Sequence, residues 1–233
     1  MSQKHWQIPP SVLRHLGRVP ADRAVVLLLR HSVRDDLPPD DIGNTLPITD
    51  IGRQLAMDLG QLMQGKLRTL HSSPLVRCMQ TAQAISEGAC AKMDIIADRY
   101  LGDPGVFVID SELAWINWKT LGHEGVMAHL VSEAEALPGM ARPDEAACQL
   151  LQHMFAAAGN RSGVHVFVTH DSLVTATSAR LLGQPLGVDD WPWYLEAAFF
   201  WIDKAGVHGA YREHEACLPH LTRGWALPPS RLR

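Results

Sequence analysis

Ala24-Val25-Val26-Leu27-Leu28-Leu29, followed at once by Arg30-His31, is the stretch on which the fold turns. An apolar run without polar alternation is the pattern of a strand covered on both faces, as in a parallel sheet. It is too short for a signal segment or a membrane span. Arginine and histidine do not belong in a core unless partnered, so the abrupt ending marks the strand's carboxyl end, where ligand crevices open in such sheets.

The same grammar repeats downstream. A loop rich in Asp, Pro, Gly and Asn runs to Thr49, a candidate N-cap for a helix carrying Ile51, Leu55, Leu59, Leu62 and Met63 at helical spacing. Leu67 to His71 reads as a short strand, and Pro74 suits the first turn of a helix reaching about Ile85. Ile95-Ile96 is a further apolar patch. Pro143 opens an amphipathic helix with Ala146, Ala147, Leu150, Leu151, Met154 and Phe155 on one face, stopped at Gly159. Val164 to Thr169 is the next buried strand, ended by His170-Asp171, and Ser172 to Leu182 the next helix. Phe199 to Ile202 and Val207 to Tyr211, joined through Lys204-Ala205-Gly206, read as a closing hairpin. Strands alternating with helices predict an α/β fold, a three-layer α/β/α sandwich on a mostly parallel sheet. The 233 residues fit one domain, 1–233, with an insertion or cap at about 99–142, where the pattern turns irregular apart from a helix near Glu124 to Ala136.

A net charge of −4 carries no overall basic field, so nucleic acid is not an expected partner and any anion must be caught locally. The four cysteines lie far apart without a C-x-x-C pair, as for reduced thiols, and the expected location is the cytoplasm, away from membranes. Three strand ends gather polar chemistry: Arg30-His31, Ser72-Ser73 with Arg77, and His170-Asp171. For either histidine alone, a ring satisfied by a backbone carbonyl is as good an explanation as function; two such endings at one sheet edge favour function.

Leu29-Arg30-His31-Ser32-Val33-Arg34 resembles the R-H-G signature of the histidine phosphatase superfamily, with its phosphoglycerate mutase-like fold. Thr49-Asp50-Ile51-Gly52 resembles that family's L-T-x-x-G, with Ile48 in place of leucine. Ser72-Ser73-Pro74-Leu75-Val76-Arg77-Cys78-Met79-Gln80-Thr81-Ala82 resembles its S-S-P-x-x-R-x-x-Q-T-A, and Thr169-His170-Asp171 its second histidine. Together these pieces span Val25 to about Leu182, leaving out Arg99 to Arg142. The resemblance implies hydrolysis of a phosphomonoester through a phosphohistidine on His31. Arg30, Arg34, Arg77 and His170 would hold the phosphoryl oxygens, and no metal or cofactor would be called for. These residue types suit the chemistry: neutral imidazole is a nucleophile near pH 7, and guanidinium offers forked, permanently charged donors to a group that passes through an in-line displacement.

For the leaving-group proton the family divides. Mutase-like members use a glutamate from the insertion, which would fall near Asp103 or Glu112; acid-phosphatase-like members use the aspartate after the second histidine. Asp171 fits the latter pattern, as Arg34 fits R-H-G-x-R, and Asp171 is the expected donor, with Asp103 in reserve. A phosphomutase of the same fold and a catalytically weak phospho-ligand binding module are the competing expectations. Ser32, where the family carries glycine, is expected to narrow the pocket or add a hydroxyl donor. Asp35, Asp36, Asp40 and Asp41 read as a solvated acidic loop, and His208, His214 and His220 with Glu213 and Glu215 as surface residues. Trp115, Trp118, Trp191 and Trp193 fall in the insertion and in a loop near the pocket, which suggests a small-molecule substrate with an apolar or aromatic leaving group.

Overall fold

A computed structural model describes residues 6–36, 43–102, 104–184 and 186–222. The chain opens with helix α1 (Pro10–Arg18), started by a proline whose missing N–H costs nothing in a first turn. Strand β1 (Ala24–Arg30) follows, then α2 (Asp50–Leu62), β2 (Leu67–Ser72), α3 (Val76–Gly88) and β3 (Ile95–Ala97). The segment expected as an insertion carries α4 (Ser111–Ser132). After it come α5 (Pro143–Ala158), β4 (Gly163–Thr169), α6 (Asp171–Leu182), β5 (Ala197–Asp203), β6 (Gly206–Tyr211) and β7 (His214–Leu218).

The strands form one sheet in the order β3-β2-β4-β1-β5-β6-β7. β1 to β4 run parallel; β5, β6 and β7 extend the sheet by antiparallel pairing. The continuous apolar run of β1 now has its explanation. Val25, Leu27 and Leu29 enter one core, beneath α1, α2 and α3, with Val12, Leu59 and Ile85. Val26 and Leu28 enter the other, beneath α4, α5 and α6, with Met127, Leu150 and Val174. Because successive side chains of a strand point to opposite faces, a strand between two cores can afford no polar position. The result is the three-layer sandwich that the sequence predicts. Phe107, Val108, Ala114, Val126 and Leu130 of the insertion share the second core.

Some local expectations need correction. Pro74 stands before α3, whose N-cap is Leu75. The helix expected near Glu124 starts at Ser111, capped by the Asp110 carboxylate, and is interrupted at Gly122, where φ is 69°. α1 and β7 are additions to the expected elements: α1 buries Val12, His15 and Leu16, and β7 alternates half-buried and exposed positions at the sheet's edge before buried Leu218. Charged residues in and just before it tie it to α1, with Glu213 on Arg14 at 2.7 Å and Glu215 near His15 and Arg18. Among the described residues no helix is long and apolar enough to cross a membrane.

The Thr49 to Gly52 turn fastens the loop after β1. Thr49 Oγ1 accepts the Gly52 N–H, and the Thr49 N–H donates to the Val33 carbonyl at 2.9 Å. Gly52 sits so close beneath Val33 that a Cβ there would lie 2.3 Å from that carbonyl oxygen. Gly52→Ala should therefore force α2 away from the loop and destabilise the fold by about 1–3 kcal/mol, measured by urea denaturation.

Candidate active site

The register of the sheet builds the site. Arg30 of β1 is paired with Thr169 of β4, so the next residues, His31 and His170, emerge side by side; their ring centroids are 5.7 Å apart. The His31 N–H donates to the Thr169 carbonyl, and the Ser73 N–H to the Val168 carbonyl, which brings the end of β2 alongside. One turn into α3, Arg77 is buried beneath both histidines.

His31 has a defined tautomer. Its Nδ1–H donates to the Ser32 carbonyl at 2.8 Å, leaving Nε2 unprotonated to accept from Arg77 Nε at 3.2 Å. Arg77 Nη2 donates to His170 Nδ1 at 3.3 Å, so the other ring nitrogen of His170 carries the hydrogen and faces Ser73 Oγ at 3.1 Å. Burial, followed by the positive fields of His170, Arg30 and Arg77, holds His31 well below the ordinary histidine range. Burial and then Arg77 lower His170 to about 3, although Asp171 pulls the other way. Both imidazoles are neutral.

Arg30 is mostly buried and reaches Asp171 at 3.0 Å, donates to the Pro192 carbonyl, and lies 4.2 Å above the Tyr194 ring. Arg34 is half-buried and donates to the Asp35 carbonyl at 2.6 Å. The Nε groups of Arg30 and Arg34 are buried without a hydrogen-bond partner among the described residues. Arg77 donates to the Gly43 carbonyl at 2.6 Å. The structure thus brings together His31, His170, Asp171, Arg30, Arg34 and Arg77; among the described residues Asp171 is the one carboxylate paired with these arginines.

Asp171 opens α6. Its burial raises it, but Arg30, then His123, His31 and His170, draw it down further, so that it stands well below the ordinary carboxylate range. Asp98, at the end of β3, is engaged elsewhere, bonded to His153 at 2.6 Å. Glu112 is exposed in the first turn of α4. Asp103, Asp40 and Asp41 lie outside the described residues, as does the side chain of His220. His208 stacks on Trp201 and pairs with Asp203, and His214 bonds to the Leu182 carbonyl.

Ser32 plays a different part from the one expected. It is fully buried; its Oγ donates to the Gly52 carbonyl at 2.7 Å and its N–H to Thr81 Oγ1 at 3.0 Å. The hydroxyl braces the loop and offers the pocket no donor. The remaining motif residues follow the same logic: Thr81 donates back to the Arg77 carbonyl, and Gln80 accepts the Ile48 N–H.

The profile of the histidine phosphatase superfamily (branch 1) matches residues 26–193. The chain belongs to that superfamily. Solved structures share the fold. A mycobacterial glucosyl-3-phosphoglycerate phosphatase with inorganic phosphate is 18% identical over 83% of this chain and 97% of its own, with a TM-score of 0.53. A phosphoserine phosphatase from Entamoeba histolytica, in complex with 3-phosphoglyceric acid, is 17% identical over 84% of this chain and 98% of its own, also at 0.53. No curated protein matches by sequence. Membership in the superfamily makes this a phosphatase or mutase-type enzyme.

Three parts of this histidine phosphatase site had no sequence signal of their own. Tyr194 walls the pocket, its ring 5.7 Å from that of His31 and 5.2 Å from Trp6. Buried Glu196 bonds Arg212 at 2.8 Å and the Trp193 N–H at 2.8 Å, while Arg212 also holds the Asp190 and Trp191 carbonyls. That long-range pair shapes the loop from which Pro192 and Tyr194 meet Arg30. Cys78 Sγ lies 3.7 Å from the His170 ring, and burial pushes its thiol up to about 12, so it stays protonated.

The lowered histidines give the fold a pH dependence. Each protonates in the unfolded chain below about 6.5 but resists it when folded, so stability falls on acidification by about 1.4 kcal/mol per pH unit per group. For His170 this continues to its folded value of about 3. His170→Gln removes one such group: between pH 6 and pH 4 the variant should lose about 2 kcal/mol less stability than the wild type, by urea denaturation.

Proposed function

We propose that this chain is a phosphatase that hydrolyses a phosphomonoester through a phosphohistidine on His31. The observation that carries the reading is the unprotonated Nε2 of His31, fixed by the Nδ1–H bond to the Ser32 carbonyl, among three guanidinium groups of which, among the described residues, only Arg30 pairs with a carboxylate. In the first step His31 Nε2 attacks phosphorus in line, the bond to the leaving oxygen breaks, and that oxygen takes a proton from Asp171. Arg30, Arg34, Arg77 and His170 Nε2–H hold the equatorial oxygens. In the second step the Asp171 carboxylate accepts a proton from water, which cleaves the N–P bond and releases phosphate.

Asp171 begins as an ionised partner of Arg30. A phosphoryl dianion that draws Arg30 to itself removes that compensation and adds negative charge beside the carboxyl, and both changes favour uptake of a proton from solvent by Asp171 before the first step. Asp103 is the reserve donor.

The substrate we propose is a small molecule with an apolar or aromatic leaving group, neither nucleic acid nor membrane lipid. Trp193, 61% exposed, and Trp115, 38% exposed, offer the kind of aromatic surface that favours such groups. The unpaired cysteines fit work in the cytoplasm.

With para-nitrophenyl phosphate, His31→Ala should lower kcat by at least about a thousandfold, and acid-quenched wild type should hold an acid-labile phosphoryl group that the variant lacks. Turnover surviving His31→Ala would remove the proposal, and phosphate binding without turnover in the wild type would favour a binding module. Aryl phosphates should have higher kcat/KM than 3-phosphoglycerate; the reverse order would sink the leaving-group assignment. Transfer of the phosphoryl group to a second hydroxyl of the same substrate, seen by phosphorus NMR, would point to a mutase.

A further inference from the structure

Arg30 is held in three ways, and one of them uses none of its N–H groups. Nη2 reaches the Asp171 carboxylate at 3.0 Å, Nη1 donates to the Pro192 carbonyl, and Cζ lies over the Tyr194 ring, 4.2 Å from its centroid. A ring face attracts a cation without neutralising it and without taking a hydrogen that a phosphoryl oxygen could accept. Asp171 competes with phosphate for Arg30. Tyr194 does not.

Tyr194 belongs to a turn at the start of β5, in which the Glu196 N–H donates to the Trp193 carbonyl at 3.0 Å and the Trp193 N–H to the Glu196 carboxylate at 2.8 Å. The turn is fastened to the end of β1. The Arg30 N–H donates to the Glu196 carbonyl at 2.9 Å and the Leu195 N–H to the His31 carbonyl at 3.4 Å. Leu195 has φ 59°, a region that leucine seldom enters, and its side chain is fully buried in the core beneath α1, α2 and α3. Such strain persists where the surroundings over-determine it. Here it sends Leu195 into the core while its neighbour Tyr194 meets Arg30 and stands 5.7 Å from the His31 ring. Trp6, ahead of α1, meets the Tyr194 ring edge-on at 5.2 Å and 76°. Trp6 and Tyr194 both lie outside residues 26–193, so the pair is no part of what the superfamily match establishes.

We propose that Tyr194, backed by Trp6, is a positioning residue for Arg30: its ring keeps the guanidinium at the phosphate pocket once a phosphoryl group has displaced Asp171. An arginine released from its carboxylate regains the freedom of a long stem, and ordering it again weakens binding. The ring confines the guanidinium in both states and leaves its N–H edges to the incoming oxygens. The inference rests on the proposed assignment of Arg30 to the phosphoryl oxygens.

The test measures the Kd of inorganic phosphate by titration calorimetry on the full chain, beside kcat/KM for para-nitrophenyl phosphate. Tyr194→Leu should raise the Kd and lower kcat/KM about tenfold each, whereas Tyr194→Phe, which keeps the ring, should stay within about twofold of the wild type. Trifluorophenylalanine at position 194 keeps nearly the shape of phenylalanine but has a less negative face. It should raise the Kd about fivefold over Tyr194→Phe, a change that a packing role would not produce and that does not depend on the leucine variant folding. Trp6→Ala should raise the Kd about threefold. Arg30→Met should lower kcat/KM about a hundredfold, and adding Tyr194→Leu to it should lower kcat/KM no further. An unchanged Kd in Tyr194→Leu, equal values for the two phenylalanine variants, or a further loss in the Arg30→Met background would overturn the role of Tyr194 alone. An unchanged Kd in Trp6→Ala would remove Trp6 from the proposal. An unchanged kcat/KM in Arg30→Met would overturn the assignment of Arg30, and with it this inference.

Discussion

Positive charge concentrated where three strands end is the constraint to which the rest of this structure answers. Arg30, Arg34 and Arg77 converge beside buried His31 and partly buried His170, and among the described residues only Asp171 supplies an opposing carboxylate in their midst. A site filled with carboxylates would be stable and already satisfied. Here each guanidinium gives a hydrogen bond to a backbone carbonyl, Arg34 to Asp35, Arg77 to Gly43 and Arg30 to Pro192, and a carbonyl accepts without cancelling charge. The arginines are thereby held in place and remain cationic. Burial, and after it the same field, keeps His31 and His170 neutral, so that the lone pair of His31 Nε2 is available.

Holding those carbonyls in place explains why residues far from phosphate chemistry are so particular. Gly43 must take a positive φ, and Ser32 must give its N–H to Thr81 and its hydroxyl to Gly52. Thr49 must cap α2 while anchoring Val33, and Gly52 must lack a side chain. Each bond fixes the short loop after β1, whose Ser32 carbonyl sets the tautomer of His31. Loss of one brace would therefore be felt at Nε2 as a change of orientation, without any catalytic group having been removed.

The parts legible in the sequence are those whose physics is local. The unbroken apolar runs of β1 and β4 announce two-sided burial, and a basic or histidine ending announces the carboxyl edge. His31 and His170, 139 residues apart in the chain, become neighbours simply because the two runs pair in register from Ala24 and Gly163. What the sequence hid depends on pairing across the chain. Nothing near Glu196 indicates that Arg212 will meet it, and nothing in Trp191-Pro192-Trp193-Tyr194 shows that one carbonyl and one ring will flank Arg30. β7 escaped notice because an edge strand needs no apolar run, and the first half of α4 because its Trp115, Ile116 and Leu113 are exposed, so no buried stripe marks it. Ser32 was misjudged for a related reason: a small hydroxyl beside a reactive histidine invites a chemical role, yet at full burial its first need is an acceptor, and the Gly52 carbonyl is there.

The ion pair between Arg30 and Asp171 joins the two halves of the chemistry. Arg30 has three neighbours at once, the Asp171 carboxylate, the Pro192 carbonyl and the face of Tyr194, and its Nε still lacks a partner. A group held by several modest contacts can turn toward a dianion while keeping some of them. Tyr194 and Pro192 can retain the guanidinium as its interaction with Asp171 weakens, so the exchange of one anion for another costs less than extracting a buried charge from a single partner. In the proposed mechanism, phosphate binding and protonation of Asp171 are linked through one side chain: an anion that engages Arg30 also relieves Asp171 of its cationic partner. That coupling favours proton delivery when a phosphoryl group is in place and leaves the carboxyl ionised otherwise.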